Sequence, residues 1–135
     1  MDRGMLARFL IRKDWFDSSG EGRVKQNAFS PPKNLQFSVT RQEGLTHQEM
    51  VALGEGVVQA RLQKDPVLSL SLFGWADLKQ EDVELEVEGD PKLTVIPDDS
   101  TRNHANICGW PPDKIGQMRI AARLAKAAKL KLLTA

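Results

Sequence analysis

The chain of 135 residues is 41% hydrophobic and 27% charged, a composition typical of a folded globular protein rather than a disordered one. Its formal net charge of +1 excludes a global attraction to nucleic acid or membranes, so any such attraction requires a local patch. The single cysteine excludes an internal disulfide. No apolar run reaches the roughly 18 residues that span a bilayer, and the N-terminus lacks a signal-peptide pattern. These features predict one cytoplasmic domain over residues 1–135.

The first third of the chain predicts two strands separated by a long connection. "MLARFLIR" at 5–12 carries apolar residues on both faces and is typical of a buried strand. Residues 13–34 are rich in glycine, serine, proline and charge, which predicts a long loop; such loops are often functional or mobile. "LQFSVTR" at 35–41 alternates apolar and polar residues and predicts a half-buried strand.

A helix over 47–63 has the clearest local signal, because Thr46 and Glu49 form a capping-box pattern at its start. Gly54 and Gly56 each disfavour a helix by about 1 kcal/mol relative to alanine, so we expect close packing against a neighbour there. The residues predicted to face inward are Met50, Leu53, Val57 and Val58.

The middle of the chain leaves two interpretations open. "VLSLSLFGWA" at 67–76 predicts a strand, and Asp77 could cap a short helical turn over 78–82. "VELEVEGDPKLTVI" at 83–96 alternates on both sides of "GDP", which indicates a hairpin. A longer helix beginning at 78 is the alternative.

The last third predicts a strand, a helix and a short edge strand. "HANICGW" at 104–110 is typical of extended chain, and Pro112 suits the first turn of a final helix over 112–128. "LKLL" at 130–133 could close the chain as an edge strand. The predicted fold is therefore α+β, with a single mixed sheet of about five to six short strands and two main helices. The residues expected on the buried half of the final helix are Met118, Ile120, Ala121, Leu124, Ala125 and Ala128.

Several common chemistries are disfavoured by residue spacing. His47, His104 and Cys108 lack the paired spacing of a zinc site, so we expect no metal and no cofactor. In an extended chain His104 and Cys108 stand roughly 13 Å apart, at about 3.3 Å per residue, which excludes a Cys–His dyad. Cys108 is instead predicted to be a small buried hydrophobe. Phosphate-loop, dinucleotide-binding and nucleophile-elbow motifs are absent, and whether the protein is an enzyme is left open.

His104 and Asn106 form the first candidate binding cluster. Period-two geometry puts them on one face of an extended segment, with Ala105 and Ile107 on the core face. An imidazole beside a carboxamide offers mixed donors and acceptors, and the helix that begins at Pro112 could accept an anion nearby. The alternative is that both side chains satisfy backbone groups where the loop folds back.

The second cluster is basic. Arg23, Lys25 and Lys33 lie in the predicted loop, and Arg41 ends the strand that follows. Near a helix N-terminus such residues would form a phosphate or carboxylate pocket, because a guanidinium binds these groups in a bidentate manner. The alternative is a solvated loop with scattered charge.

The third cluster is the basic face of the final helix, formed by Arg119, Arg123 and Lys126. It could meet nucleic acid or an acidic partner. Aromatic residues that would stack on bases are missing from this face, so a solvated surface is the favoured interpretation. Nucleic acid is therefore not the expected partner, although these residues leave it open.

Three segments carry a resemblance: "RVKQNAFSPP" at 23–32, "FSVTR" at 37–41 and "HANICGWPPDK" at 104–114. In this order they resemble a group of small bacterial proteins of unestablished function. The resemblance implies a shared fold over most of the chain. It carries over no activity.

The first functional hypothesis is a domain that binds an anionic ligand, such as a phosphate-bearing compound of nucleotide type. Its cleft would be formed by the 17–34 loop, the end of strand 35–41 and the 103–114 segment. The predicted ligand-binding residues are Arg23, Lys25, Arg41, His104 and Asn106.

The second hypothesis is a non-catalytic protein-interaction module or an accessory subunit of a larger complex. It requires Trp15, Phe16 or Trp75 to be exposed in one apolar patch, because such patches mark protein-binding surfaces. The two hypotheses therefore differ in where the aromatic residues and the cations should lie.

Overall fold

The computed structural model describes residues 4–133. Their strands are β1 Met5–Leu10, β2 Phe16–Asp17, β3 Arg23–Val24, β4 Phe37–Arg41, β5 Gly74–Lys79, β6 Thr94–Pro97, β7 His104–Cys108 and β8 Lys129–Leu132. Their α-helices are α1 His47–Lys64, α2 Gln80–Val83 and α3 Lys114–Ala127. Six strands form one sheet in the order β6-β7-β4-β1-β5-β8, and β2 pairs with β3. The α+β class is confirmed, although each strand pair is antiparallel rather than mixed.

Strand β1 lies between β4 and β5 and is buried on both faces, as its apolar pattern predicted. Helix α1 covers one face, where Gly54 approaches Phe9. The other face carries Phe37, whose ring packs against Phe29 and Trp110. Helix α3 packs with the 3-10 turn that contains Phe29. The core therefore has two layers, one on each side of the sheet.

Helix α1 begins as predicted: Thr46 accepts a hydrogen bond from the Glu49 backbone, and the Glu49 carboxylate accepts one from the Thr46 backbone. Close packing explains only one of its glycines. A Cβ at Gly54 would lie 2.7 Å from Leu72, whereas one at Gly56 would meet open space. Met50 and Val58 are buried and Leu53 is half-buried. The inward placement of Val57 is wrong, because its side chain is 38% exposed.

The connection predicted over 13–34 lies between the sheet strands β1 and β4 and contains short regular elements. The segment forms 3-10 turns at Lys13–Trp15 and Gln26–Phe29 and the two-stranded β2–β3 hairpin. Gly22 lets this hairpin approach β8, because its φ is +80° and a Cβ there would lie 2.8 Å from Leu130. Buried apolar residues spaced along the segment anchor it to the core. The polar composition of the segment as a whole did not indicate these anchors. These anchors are Trp15, Val24, Ala28 and Phe29.

The predicted elements between 67 and 96 are displaced or absent. Regular strand begins at Gly74 rather than 67, and the short helix α2 begins at Gln80. Asp77 does not cap this helix; it lies within β5 and accepts hydrogen bonds from Gln42 and Trp75.

The hairpin predicted over 83–96 is also wrong, because β6 pairs with β7 instead. Val83, at the start of the alternating stretch, is buried at the end of α2, but Leu85 is 56% exposed, so the first half does not continue as a strand with one buried face. Val95, in the second half, is buried against the core.

The last third follows the prediction with two corrections. Helix α3 begins at Lys114 rather than 112, because the Asp113 carboxylate caps it by accepting a hydrogen bond from the Gly116 backbone. Met118 is 49% exposed rather than buried. Strand β8 pairs with β5 at the edge of the sheet, as expected from "LKLL". The residues confirmed on the buried half of α3 are Ile120, Ala121, Leu124 and Ala125.

Candidate functional site

The central sheet is split between β1 and β4. These strands pair only through Leu6–Arg41 and Ala7–Thr40, whereas β1 and β5 pair along the whole of Met5–Leu10. Residues 8–10 of β1 therefore do not pair with residues 37–39 of β4. We call this opening the strand gap.

The side chain of Arg8 bridges the strand gap. Its Nε donates to the Ala28 carbonyl at 3.0 Å, and its Nη1 lies 3.4 Å from the Ser38 carbonyl of β4. Its guanidinium carbon lies 4.2 Å from the centroid of the Phe37 ring and 4.9 Å from that of Trp15. Hydrogen bonds and cation–π contacts from one arginine thus replace the missing strand pairing.

A cavity of about 300 Å³ lies over the strand gap, beneath the C-terminal half of α1; we call it the gap groove. Its apolar wall includes Phe9, Ile11 and Val57. Arg61 lines it from α1, whereas the Arg8 guanidinium lies against Phe37 on the opposite face of the sheet, and Arg8 borders the cavity through the strand gap. The remaining polar side chains that line it are Ser38, Thr40, Thr101 and His104.

The two arginines that border the gap groove have no counter-ion among the described residues. Within residues 4–133, neither Arg8 nor Arg61 has a carboxylate at ion-pair distance, and no acidic residue lines the cavity. Burial, and then the positive charge of Arg61, lower the pKa of Arg8 to about 9. Arg8 therefore remains charged at neutral pH, and two cations without a carboxylate partner in residues 4–133 border the groove.

His104 is oriented by a carboxylate. Its Nδ1 lies 3.3 Å from the Oδ2 atom of Asp98, which leaves Nε2 for other partners. Hydrogen bonds from the Ser100 hydroxyl and backbone, and then from His104, hold the pKa of Asp98 below its usual value. Asp98 is therefore a stable anion that fixes the imidazole at the edge of the gap groove.

The predicted alternation along β7 is confirmed. Ala105 and Ile107 are buried, while His104 and Asn106 are half-buried on the opposite face. Asn106 lies opposite Ser38 across the β4–β7 pair but does not line the gap groove. The alternative for His104 and Asn106 was that their side chains hydrogen-bond to backbone groups where the loop folds back. The adjacent Asn103 forms such bonds, because its carboxamide donates to the carbonyls of Arg41 and Glu43.

Two further expectations for this segment are corrected. Cys108 is half-buried rather than fully buried, and its thiol lies 4.0 Å from the Asn106 carbonyl. The start of α3 already has an anion, since the Asp113 carboxylate occupies it. The 103–114 segment therefore contributes His104, rather than a helix N-terminus, to the candidate site.

Arg41 lies apart from the gap groove. Thr40 is the partner of His104 across the sheet, so its neighbour Arg41 points to the opposite face. There the Arg41 guanidinium forms a 2.6 Å ion pair with Asp99. Its charge is already compensated.

Arg23 and Lys25 line a second cavity of about 460 Å³ between β3 and α3, which we call the hairpin groove. Strand β3 contacts β8, and β7 is four strand positions from β8, so His104 on β7 is separated from this edge of the sheet by about 19 Å, at about 4.8 Å per strand. The five predicted ligand-binding residues therefore do not converge in one cleft.

The basic face predicted on α3 is mostly engaged within the protein. Arg119 forms a 2.6 Å ion pair with Asp90, and Arg123 donates to the Asp82 carbonyl at 3.1 Å. Lys126 is exposed and lines the hairpin groove. Only this last residue of the predicted cluster adds to a candidate anion site.

The aromatic residues required by the interaction-module hypothesis are mostly internal. Trp15 and Trp75 are 8% and 6% exposed, and Phe16 is half-buried. The tryptophans therefore form no exposed apolar patch.

Sequence reasoning missed Arg8 and Arg61. Arg8 has a signal in the sequence, because it is a charged residue within a strand that is otherwise apolar on both faces. Such a residue has to find partners for its guanidinium when the strand is buried. Arg61 has no comparable signal, since a helix commonly carries solvated arginines on its outer face.

Within residues 4–133, no group of three or more His, Cys, Asp or Glu side chains could hold a metal ion. In the same range no helix is long and apolar enough to cross a membrane. Comparison with protein-family models, with curated proteins and with solved structures finds no match. The function therefore has to be inferred from the geometry of the two grooves.

Proposed function

We propose that the protein binds a small anionic ligand with an apolar body in the gap groove. The observation that supports this proposal is the pair of arginines, Arg8 and Arg61, that line one cavity without a carboxylate partner in the described residues. Two like charges in one half-enclosed site repel each other, and a bound anion would convert this repulsion into attraction.

The lining of the gap groove defines the class of ligand. A volume of about 300 Å³ is close to the lower limit of about 300–1,000 Å³ for small-molecule pockets. A guanidinium binds carboxylate and phosphate groups in the same bidentate manner. Phe9, Ile11 and Val57 provide apolar surface for the rest of the molecule. An aromatic or branched aliphatic acid, or the corresponding phosphate ester, combines these features.

His104 supplies orientation in this proposal. Because its Nδ1 faces Asp98, its Nε2 is the ring atom that can meet a ligand. The hydroxyls of Ser38 and Thr40 lie on the same part of the cavity wall and offer further hydrogen bonds. The anionic-ligand hypothesis thus keeps His104 and includes Arg8 and Arg61 in place of the other predicted residues, which are Arg23, Lys25, Arg41 and Asn106.

Calorimetric titration with benzoate, compared with phenyl phosphate, tests this proposal and separates carboxylate from phosphate ligands. We expect Arg61→Gln to weaken binding about tenfold, which corresponds to the loss of one charge-assisted contact of about 1.4 kcal/mol. Lys64→Gln is the matched control, because it removes the same charge from the same helix at a residue outside the groove.

The expected result is binding by the wild type and by Lys64→Gln, with selective loss in Arg61→Gln. Equal affinity of all three proteins for both probes would contradict the proposal. The same is true if the wild type binds neither compound.

A further inference from the structure

The hairpin groove is a second cationic cavity, separate from the gap groove. It is lined by Arg23, Lys25 and Lys126, and no acidic residue is part of its lining. Its floor consists of small residues, which allow a bulky group to approach the backbone closely. These residues are Gly22, Ala122, Ala125 and Ala128.

The positive charge of the hairpin groove is only partly compensated. Within residues 4–133, neither Lys25 nor Lys126 has a carboxylate at ion-pair distance. Arg23 lies 3.9 Å from Asp17, and the Arg23 side chain is 74% exposed. Asp17 also accepts hydrogen bonds from the backbone and hydroxyl of Ser19. Three cations thus face one carboxylate, which leaves an excess positive charge for an anion.

An aromatic cavity adjoins the hairpin groove. It has a volume of about 560 Å³ and is lined by Phe16 and Phe73, whose ring centroids lie 5.5 Å apart. Lys25 lines both cavities, so its side chain lies between them. Both phenylalanines are half-buried, which leaves ring surface for a flat group. Lys13, Asp17 and Ser18 provide polar groups at its edge.

The two cavities have a fixed arrangement because the β2–β3 hairpin is held at both ends. The Lys25 backbone donates to the Trp15 carbonyl at 2.8 Å. At the turn, Gly22 packs directly against Leu130 of β8. The aromatic surface and the cations are therefore presented together without a large rearrangement.

We propose that this surface binds a free nucleotide, with the base in the aromatic cavity and the phosphate in the hairpin groove. Base–aromatic stacking and lysine or arginine contacts to phosphate are the two interactions that nucleotide recognition combines. Asp17 and Ser18 can hydrogen-bond to sugar hydroxyls or to the base edge. The inference uses none of the residues of the gap groove and so stands independently of the function proposed for it.

Calorimetry with AMP tests the proposal, with adenosine and inorganic phosphate as the two halves of the ligand. Lys126→Gln should weaken AMP and phosphate binding about tenfold and leave adenosine unchanged, since it borders only the hairpin groove. Phe16→Leu should weaken AMP and adenosine and leave phosphate unchanged, since it borders only the aromatic cavity. Lys25→Gln should weaken AMP at least as much as Lys126→Gln does.

Lys64→Gln and Arg61→Gln should both bind AMP like the wild type, since neither residue borders these cavities. If Lys64→Gln weakened AMP binding as much as Lys126→Gln, the effect would come from net charge alone and the proposal would be overturned. The absence of AMP binding by the wild type would also overturn it. An adenylate oligonucleotide should bind no more tightly per site than AMP. If the oligonucleotide bound about tenfold more tightly than AMP or better, the proposal of a free nucleotide would be overturned, and a single-stranded nucleic acid would be the ligand.

Discussion

The gap groove and the hairpin groove are both lined by cations, but the cations differ in how deeply they are buried. In the gap groove, Arg8 is part of the sheet architecture, because it occupies the place of strand pairing and lies between two aromatic rings. In the hairpin groove, Arg23 and Lys126 are exposed on the surface of a completed fold. An interior cation contributes to both stability and binding, whereas a surface cation can be removed with little effect on the fold.

The largest expected effect is on the free energy of unfolding, which should depend on Arg8 of the gap groove far more than on Arg23 of the hairpin groove. Replacing Arg8 with methionine should lower the free energy of unfolding by about 3 kcal/mol, because two carbonyls lose their donor and two cation–π contacts are lost. Arg23→Gln should change it by less than about 0.5 kcal/mol, as is usual for an exposed residue. Urea denaturation of both variants measures the difference. Similar losses in the two variants would break the distinction between interior and surface cations.

An intermediate effect concerns the distance between α1 and the sheet. Gly54→Ala should destabilise the protein by about 1 kcal/mol, since overpacking against Leu72 and Phe9 exceeds the gain in helix propensity. Gly56→Ala should stabilise it by up to about 1 kcal/mol, because its new Cβ meets open space.

Only Gly54→Ala should also reduce benzoate affinity, since α1 carries Arg61 over the gap groove. Both variants should bind AMP like the wild type, because α1 does not line the hairpin groove. Calorimetry with the two probes measures this contrast. A loss of AMP binding in Gly54→Ala would show that the grooves are not independent.

The smallest effect is the acid response of α1. Hydrogen bonds from the Thr46 backbone, Arg102 and the Thr46 hydroxyl hold the pKa of Glu49 below its ordinary value of 4.5. A lowered pKa in the folded state stabilises the fold above that ordinary value, and this contribution is lost as the pH falls through the lowered one. Glu49→Gln should therefore flatten the acid limb of the melting temperature against pH. Glu55→Gln, on the same helix, should keep the wild-type profile.

Local patterns predicted the parts of the molecule that depend on neighbours in sequence. The capping box of Thr46 and Glu49 fixes the start of α1 through contacts three residues apart. The alternation in "HANIC" likewise placed His104 and Asn106 on one face, because strand geometry alone determines it. Where two residues share an element, spacing placed most of them correctly, with Val57 and Met118 as the exceptions.

The candidate sites depend on contacts between distant segments, and spacing could not predict them. Arg8 acts in the gap because β1 separates from β4, and its partners Ala28 and Ser38 are 20 and 30 residues away. Lys25 and Lys126 line one cavity because the β2–β3 hairpin packs beside α3. The expected convergence of Arg23 with His104 failed for the same reason, since strand order places them near opposite edges of the sheet.

The melting temperatures of the wild type and Arg61→Gln, each with and without benzoate, test the central claim most directly. If the groove holds two uncompensated cations for an anion, Arg61→Gln should melt at the same temperature as the wild type or higher when benzoate is absent. Benzoate should then raise the melting temperature of the wild type by mass action and have little effect on the variant. An equal shift in both proteins, or no shift in the wild type, would contradict the claim.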